Sequence, residues 1–215
     1  MSVPRRTCVK VCGLTSLEDA LAARDAGADW LGFIVKGESP RRIDADAAGR
    51  IAGRLGETTR VAVLVGPTPE EALALAEKAR AQRVQLHRVD ITAWPVDFPL
   101  PVTVVVGVDA DGALDAPLPG PDRLLMLDRA DREKAGGTGR TFPWSTAARL
   151  ARGRDVIVAG GLDADNVATA IADVRPFGVD ASSRLERAPG VKDVERVRRF
   201  VAAVRMADEL ATHGA

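Results

Sequence analysis

The stretch 61–80, VAVLVGPTPEEALALAEKAR, decides the fold class that this sequence predicts. Its first five residues are apolar throughout and rich in valine, which is typical of a short strand buried on both faces. Residues 69–80 then place alanine and leucine three and four apart among charged residues, which is typical of a helix with one buried face. The stretch therefore predicts one strand followed directly by one helix.

The same order recurs along the whole chain. We predict eight strands, at 8–12, 30–35, 61–65, 84–87, 102–106, 123–127, 156–159 and 178–181. Helices are predicted at 17–26, 45–55, 69–80, 145–152, 165–174 and 192–205, and the helical pattern is weak after the fourth and fifth strands. Because parallel strands need a crossover connection, eight such units indicate a single-domain (β/α)8 TIM barrel over residues 1–215. The competing fold is an open doubly wound sheet, but residues 12–15, CGLT, lack its G-x-G-x-x-G fingerprint.

The composition favours a small molecule as the partner. The chain has 215 residues, and its 30 Lys and Arg match its 30 Asp and Glu. Such a balance creates no net field that would attract a nucleic acid or an acidic membrane surface. No apolar run approaches the roughly 20 residues that a membrane span needs, and Lys10 interrupts the apolar residues near the N-terminus, which makes them a poor signal-peptide core.

The few cysteines and histidines limit the kinds of site that this chain can build. Cys8 and Cys12 lie on the same face of the first predicted strand but too far apart for a disulfide, so we expect a reduced, cytoplasmic protein. His87 and His213 are too few to build a cluster of zinc ligands with the cysteines. We therefore expect no metal site, and chemistry carried by Asp, Glu, Cys, Lys or Arg.

Polar residues at the ends of three predicted strands are the first catalytic candidates, since active sites of such barrels lie at the carboxyl ends of the strands. Cys12 ends strand one, His87 ends strand four and Asp128 follows strand six. Each also has a structural interpretation: a small buried residue, a core histidine and a turn or capping aspartate. Taken together, they indicate a base and an acid on two sides of a substrate.

Two further segments suggest an anion site. Gly160 and Gly161 follow strand seven, and Ser182 and Ser183 close strand eight, which is the usual phosphate position of this fold. The alternative for the two glycines is a tight turn into the next helix. Residues 136–141, GGTGRT, lack the spacing of a P-loop, and we interpret them as a lid over the barrel mouth.

Several of these segments together resemble the phosphoribosylanthranilate isomerase family over almost the whole chain. They are VKVCGLT at 9–15, LGF at 31–33, SPRR at 39–42, VQLH at 84–87, GGTG at 136–139, FPW at 142–144, AGGL at 159–162, GVDASS at 178–183 and PGVKD at 189–193. The histidine-biosynthesis isomerase on the same fold is the nearest rival, but resemblance to it would call for an aspartate where Cys12 stands.

The resemblance implies a cofactor-free enzyme of tryptophan biosynthesis that carries out an Amadori rearrangement of N-(5′-phosphoribosyl)anthranilate. Asp128 would protonate the furanose oxygen, and Cys12 would remove the C2′ proton, which requires its ordinary pKa of about 8.5 to move toward neutrality. Arg41 would hold the anthranilate carboxylate through a bidentate contact. The remaining substrate-binding residues implied are His87, Gly160, Gly161, Ser182, Ser183 and Arg184. The partner is then a phosphorylated anthranilate N-glycoside, bound by a monomer or a homodimer.

The sequence departs from the family pattern at three arginines. Arg42 replaces a tyrosine, and Arg88 and Arg184 stand where the family usually has glycine. Arg184 either caps the bound phosphate or obstructs its site, and we favour capping because the paired glycines and serines are present. Two alternatives stay open on these grounds: a diverged paralogue that acts on a related anthranilate N-glycoside, and a non-catalytic barrel that binds phosphate or an aromatic carboxylate.

Overall fold

Eight parallel strands close into a barrel in the computed structural model, which describes residues 6–130 and 142–213. The strands are β1 (Cys8–Val11), β2 (Trp30–Lys36), β3 (Thr59–Val65), β4 (Arg83–His87), β5 (Val102–Val108), β6 (Leu124–Arg129), β7 (Val156–Val158) and β8 (Gly178–Ala181). Each strand pairs with the next, and β8 pairs with β1 in a register that sets Lys10 beside Asp180. The predicted barrel and all eight predicted strands are confirmed, whereas the extent of one domain over residues 1–215 stays a prediction.

Within residues 6–130 and 142–213, six helices cover the outside of the barrel. They are α1 (Leu17–Asp25), α2 (Ala45–Ala52), α3 (Pro69–Lys78), α4 (Trp144–Ala151), α5 (Val167–Val174) and α6 (Val194–His213). The crossover from β4 to β5 holds only a short 3₁₀ turn, Ile91–Ala93, and the described crossover from β5 to β6 contains no α-helix. Prolines explain both, because a proline inside a helix removes a hydrogen bond and clashes with the preceding turn. These prolines are Pro95, Pro99 and Pro101 in the first crossover and Pro117, Pro119 and Pro121 in the second.

Local capping explains where the clearest helix begins. The Thr68 hydroxyl accepts a hydrogen bond from the Glu71 amide at 3.2 Å, and the Glu71 carboxylate accepts one from the Thr68 amide at 3.0 Å. Pro69 occupies the first helical position, where its missing N–H costs nothing. This capping box satisfies two otherwise unpaired backbone donors, so the start of α3 is encoded in four consecutive residues.

Side chains alternate between two cores along each strand. Apolar residues such as Val9, Leu31 and Leu86 point outward and pack beneath the helices. The barrel interior contains a small apolar cluster of Cys12, Val61 and Val63 and another of Met126, Ile157 and Ala159. The interior also buries polar side chains from four strands, namely Lys10, Gln85, Thr103 and Asp180. Three of these strands, β1, β4 and β8, are followed by or end in predicted site residues.

A short antiparallel hairpin lies between the end of the barrel and the last helix. The strands β9 (Glu186–Ala188) and β10 (Val191–Lys192) pair antiparallel after β8, in a region where the sequence analysis predicts the start of the last helix. The last helix therefore begins two residues later than predicted and ends eight residues later. Within residues 6–130 and 142–213, no helix has the length and apolar character that a bilayer crossing requires.

Candidate active site

Cys12 lies at the mouth of the barrel, directly after β1, with 5% of its surface exposed. Its amide donates to the Ala181 carbonyl at 2.9 Å, and its carbonyl accepts the Ser182 hydroxyl at 3.0 Å. Gly13 follows with φ +76°, a conformation that other residues rarely adopt. A Cβ at Gly13 would lie 2.8 Å from Cδ of Arg41 and 2.9 Å from the Ser182 hydroxyl oxygen. Glycine at this position therefore lets Cys12, Arg41 and Ser182 converge.

The Cys12 thiol is not held near a neutral pKa, in contrast to the expectation from the sequence. Burial is the largest influence and raises the pKa of Cys12, the positive charge of Lys10 opposes it, and the nearby Asp180 adds to the rise. The thiol form of Cys12 is therefore favoured at neutral pH. Cys8 lies near Gly178 at the amino end of β8, and burial raises its pKa to about 12.

Asp128 lies near the end of β6 and is half-buried. Its Oδ1 accepts a hydrogen bond from the Arg129 amide at 2.7 Å, which orients the carboxyl group. Gly160, with φ +84°, packs against it, since a Cβ there would lie 2.9 Å from Oδ1 of Asp128 and 2.8 Å from the Arg129 nitrogen. Gly160 is thus needed to bring the loop after β7 against this carboxyl group, which the sequence analysis did not foresee.

Arg41 lies in the loop after β2 and is held by a buried carboxylate. Its Nε and Nη2 donate to the two carboxylate oxygens of Glu186 at 2.8 Å each, and Lys192 Nζ donates to Glu186 Oε1 at 2.8 Å. Burial raises the pKa of Glu186, but the hydrogen bonds from Arg41 and Lys192 outweigh it and lower the pKa overall. Two cations around one carboxylate leave this side of the mouth positively charged.

The pair with Glu186 leaves Arg41 able to bind an anion. A guanidinium group has two edges that can each make a bidentate contact, and Glu186 occupies the edge formed by Nε and Nη2. The side chain of Arg41 is 22% exposed, so it is not the freely solvated loop charge that was the alternative interpretation. Sequence reasoning missed Glu186 and Lys192, although Lys192 belongs to the PGVKD segment that resembles the family.

His87 is the last residue of β4 and is paired with an interior side chain. Its Nε2 lies 2.9 Å from Nε2 of Gln85. Burial is the main cause that lowers the pKa of His87 to about 4, with further contributions from the positive charges of Lys10 and Arg88. At neutral pH the imidazole is therefore uncharged and can act as a hydrogen-bonding group.

The predicted phosphate position is formed by the loops after β7 and β8. Gly161 has φ +80°, and a Cβ there would meet no atom within 4 Å, so its backbone faces open space. Asn166 braces this loop through a hydrogen bond from Nδ2 to the Gly161 carbonyl at 3.0 Å. Ser183 is exposed, whereas the Ser182 hydroxyl is already used by the Cys12 carbonyl.

The three arginines that depart from the family pattern have different surroundings. The Arg184 side chain is 42% exposed and its Nε lies 3.7 Å from a carboxylate oxygen of Asp163. It lines an outer cavity of about 480 Å³ together with Arg196 and Arg199. Arg42 is exposed, and Arg88 has φ +53°, a conformation that suits the glycine usual in the family. The predicted lid at 136–141 lies outside the described residues.

All the predicted site residues lie at one end of the barrel, because each ends or follows one of eight parallel strands. Cys12, Arg41 and Ser182 come together where β1 meets β8, and Asp128 and Gly160 come together where β6 meets β7. On one side of the barrel, only β7 and β8 lie between the strand of Cys12 and the strand of Asp128. A substrate at the mouth could thus meet a thiol and a carboxyl group, with the two predicted phosphate-binding loops between them.

Comparison with known proteins gives consistent matches. The model of a family described as N-(5'phosphoribosyl)anthranilate (PRA) isomerase matches residues 9–203. An N-(5'-phosphoribosyl)anthranilate isomerase of Rubrobacter xylanophilus is 43% identical over 202 residues, which cover 92% of this chain and 98% of that protein. A solved structure of monomers of the dimeric phosphoribosylanthranilate isomerase from Thermotoga maritima is 34% identical, with a TM-score of 0.79 and coverage of 93% of this chain and 99% of that one.

A second solved structure carries a ligand. It is a phosphoribosylanthranilate isomerase in complex with reduced 1-(o-carboxyphenylamino)-1-deoxyribulose 5-phosphate, and it is 31% identical to this chain with a TM-score of 0.76. The match covers 93% of this chain and 99% of that one. The resemblance inferred from the sequence motifs is confirmed by these matches.

Proposed function

Since the chain belongs to the N-(5′-phosphoribosyl)anthranilate isomerase family, we propose that Cys12 and Asp128 supply the base and the acid of its reaction. The protein is an isomerase of tryptophan biosynthesis, and its reaction is the Amadori rearrangement of N-(5′-phosphoribosyl)anthranilate to 1-(2-carboxyphenylamino)-1-deoxyribulose 5-phosphate. The observation that carries the assignment of roles is the placement of one thiol and one carboxyl group on either side of the β7 and β8 loops.

In the first step Asp128 acts as the general acid. Its carboxyl proton passes to the furanose ring oxygen, the bond between that oxygen and C1′ breaks, and the nitrogen lone pair forms the C1′=N double bond. The product of this step is an open-chain iminium. The hydrogen bond from the Arg129 amide and the packing of Gly160 orient the carboxyl group for this transfer.

In the second step Cys12 acts as the general base. Its thiolate takes the proton from C2′, the electrons of that bond form C1′=C2′, and the iminium nitrogen becomes a neutral amine. The enol then becomes a ketone as its hydroxyl loses a proton and C1′ gains one, so the overall change is an isomerisation. A buried thiol next to a lysine ammonium supports this role, because the site contains a cation that can stabilise the thiolate.

The remaining residues bind the substrate. Arg41 holds the anthranilate carboxylate with its second guanidinium edge, and neutral His87 contacts the sugar through a hydrogen bond. The phosphate lies against the backbone of Gly160, Gly161, Ser182 and Ser183, with Arg184 at its outer side. Open space beside Gly161 and the positive charge around Glu186 support this arrangement.

A genetic experiment tests the activity together with the roles. The wild-type gene is expected to restore growth without tryptophan to a bacterium that lacks this isomerase, and genes encoding Cys12→Ala or Asp128→Asn are expected not to. Each variant must be shown by immunoblot to accumulate like the wild type. Full growth with either variant would remove the role assigned to that residue.

Arg41→Ala is expected to weaken binding of the reduced product analogue by about 2 kcal/mol, roughly thirtyfold, since the arginine is largely buried and its charge is paired. Titration calorimetry with the analogue measures this loss. A second ligand without the carboxylate separates the contact from structural effects of the variant.

The carboxylate-free ligand is expected to bind both proteins with similar affinity. If it loses as much affinity as the full analogue on Arg41→Ala, the carboxylate lies elsewhere. Glu186 keeps its contact with Lys192 in this variant, which limits the damage to the mouth.

Arg184→Gly is expected to weaken competitive inhibition by inorganic phosphate by about fivefold or less, because an exposed ion contact is worth about 1 kcal/mol at most. Arg199→Ala is the matched control, since Arg199 lines the same outer cavity and also carries one exposed positive charge. Tighter phosphate inhibition of Arg184→Gly would reverse the assignment and make Arg184 an obstruction.

Two properties stay predictions. The protein is predicted to be a monomer or a homodimer, which size-exclusion chromatography with light scattering distinguishes. It is also predicted to be cytoplasmic.

A further inference from the structure

Lys10 is a charged residue inside the barrel, and the reaction described above uses it only as a positive charge near the Cys12 thiol. Its side chain is 1% exposed, and its Nζ lies 2.8 Å from Oδ1 of Asp180. Burial opposes the charge of Lys10, but Asp180 and Cys12 outweigh it, so the pKa of Lys10 is raised and the ammonium form is maintained. A buried ion pair stabilises a fold weakly compared with apolar packing, which leaves the presence of this pair in the core to be explained.

Lys10 and Cys12 meet inside the mouth of the barrel. They lie two residues apart, so their side chains point into the same interior, and the positive charge of Lys10 acts on the thiol and lowers its pKa. Gly32 on β2 makes room for both, since a Cβ there would lie 2.9 Å from Sγ of Cys12 and 2.9 Å from Nζ of Lys10. The sulfur and the ammonium group at β1 thus lie together with the Asp180 carboxylate of β8, in the space that Gly32 leaves open.

We propose that Lys10 is a positioning residue for Cys12: its ammonium group, anchored by Asp180, holds the thiolate that takes the C2′ proton. The inference rests on the proposed role of Cys12 as the base. Lys10 gives no proton to the substrate in this scheme. It provides the positive charge that a thiolate needs in a buried site, and Asp180 keeps that charge at the sulfur.

The charges that surround Cys12 shift the pKa of its thiol in different directions. From β1, Lys10 lowers the pKa of the thiol, and from β8, Asp180 raises it. Lys192, from β10, lowers it by a smaller amount, and His87 on β4 is uncharged at neutral pH. Removal of Lys10 must therefore raise the pKa of Cys12, and removal of the Asp180 charge must lower it.

A merely structural ion pair would behave differently. If the pair served only to join β1 to β8, loss of either member would destabilise the barrel. The two losses would then not shift the pKa of the Cys12 thiol in opposite directions. Opposite shifts from the two halves of one ion pair are therefore the decisive readout.

The chain is well suited to a direct titration. It contains two cysteines and no tyrosine, so in a Cys8→Ala background the ultraviolet absorbance of a thiolate reports Cys12 without interference from phenolate. The background variant is compared with the same protein carrying Lys10→Met, Asp180→Asn or both. Lys78→Met is the matched control, because it removes one lysine charge from the exposed outer end of α3.

We expect Lys10→Met to shift the thiolate titration upward by about 1–3 pH units, the usual effect of losing an adjacent opposite charge. The rise of kcat/KM with pH moves by the same amount, so activity at neutral pH falls about tenfold for each unit. Asp180→Asn shifts the titration downward, and Lys78→Met leaves it unchanged.

The double variant keeps the inference testable if a single variant fails to fold. Lys10→Met with Asp180→Asn keeps the side-chain volumes close to those of the native pair and leaves no buried charge unpaired. It is expected to shift the titration upward, but by less than Lys10→Met alone. Unchanged titrations in the folded single and double variants, or shifts of one sign in both single variants, would overturn the inference.

The titration is independent of the proposed catalytic role, because it contains no substrate. If Cys12→Ala is inactive and the titration does not move, the inference about Lys10 is wrong and the base assignment stands. If Cys12→Ala keeps its activity, the base assignment itself is wrong, whatever Lys10 does to the thiol.

Discussion

Cys12→Ala is expected to lower kcat by roughly 10²–10⁴-fold, the usual contribution of a positioned proton transfer. Alanine removes the sulfur that would take the C2′ proton and leaves the backbone hydrogen bonds of Cys12 to Ala181 and Ser182 in place. Steady-state turnover of freshly prepared substrate measures the loss. Binding of the reduced product analogue is expected to survive, since the thiol is assigned no binding contact.

Cys8→Ala is the matched control for this experiment. Cys8 is the other free cysteine and lies on the same strand, but at the opposite end of the barrel. Burial raises its pKa to about 12, so it carries no thiolate at neutral pH, and its loss is expected to leave kcat almost unchanged. If Cys12→Ala retained near-normal turnover, the base would have to be sought among the other groups at the mouth.

Asp128→Asn is expected to lower kcat by a similar factor, roughly 10²–10⁴, because an amide cannot give the ring oxygen a proton. Asparagine has nearly the same size and keeps an oxygen that accepts from the Arg129 amide, so the end of β6 is expected to stay intact. Analogue binding and thermal unfolding, measured together with turnover, separate lost chemistry from lost structure.

Asp29→Asn is the control for the change from carboxylate to amide. Asp29 also accepts a backbone hydrogen bond, from the Val9 amide at 2.8 Å, but it precedes β2 at the opposite end of the barrel. Loss of its ion pairs with Arg6 and Arg205 is expected to affect stability and not kcat. Equal losses of turnover in Asp29→Asn and Asp128→Asn would show that the latter result is not a loss of the general acid.

The strands and helices were predictable because their signals are local. A run such as 61–65 is apolar throughout, and the capping box of Thr68 and Glu71 lies within four residues, so neither depends on distant parts of the chain. The ends of elements were less accurate where distant contacts decide them. The start of α6 was predicted at residue 192, but Lys192 pairs in the β9–β10 hairpin instead, since its side chain is held by Glu186.

The candidate site was predictable to the extent that it lies at strand ends. Cys12 and His87 were identified by their positions at strand ends and Asp128 as following strand six, and Arg41 by the family resemblance of its SPRR segment. The groups that hold them were not identified. Glu186, for example, is distant from Arg41 in sequence, and only the folded hairpin brings its carboxylate to the guanidinium group.

The sequence by itself determined that this protein is a parallel eight-stranded barrel with a thiol and a carboxyl group at one end, because periodicity and strand ends are properties of neighbouring residues. The tertiary structure alone decided the electrostatics of that end. Lys10 is, in the sequence, only a charge that interrupts an apolar run, and Asp180 lies 170 residues away. They meet because closure of the barrel pairs β8 with β1 in one register, and burial then sets the charges that act on Cys12.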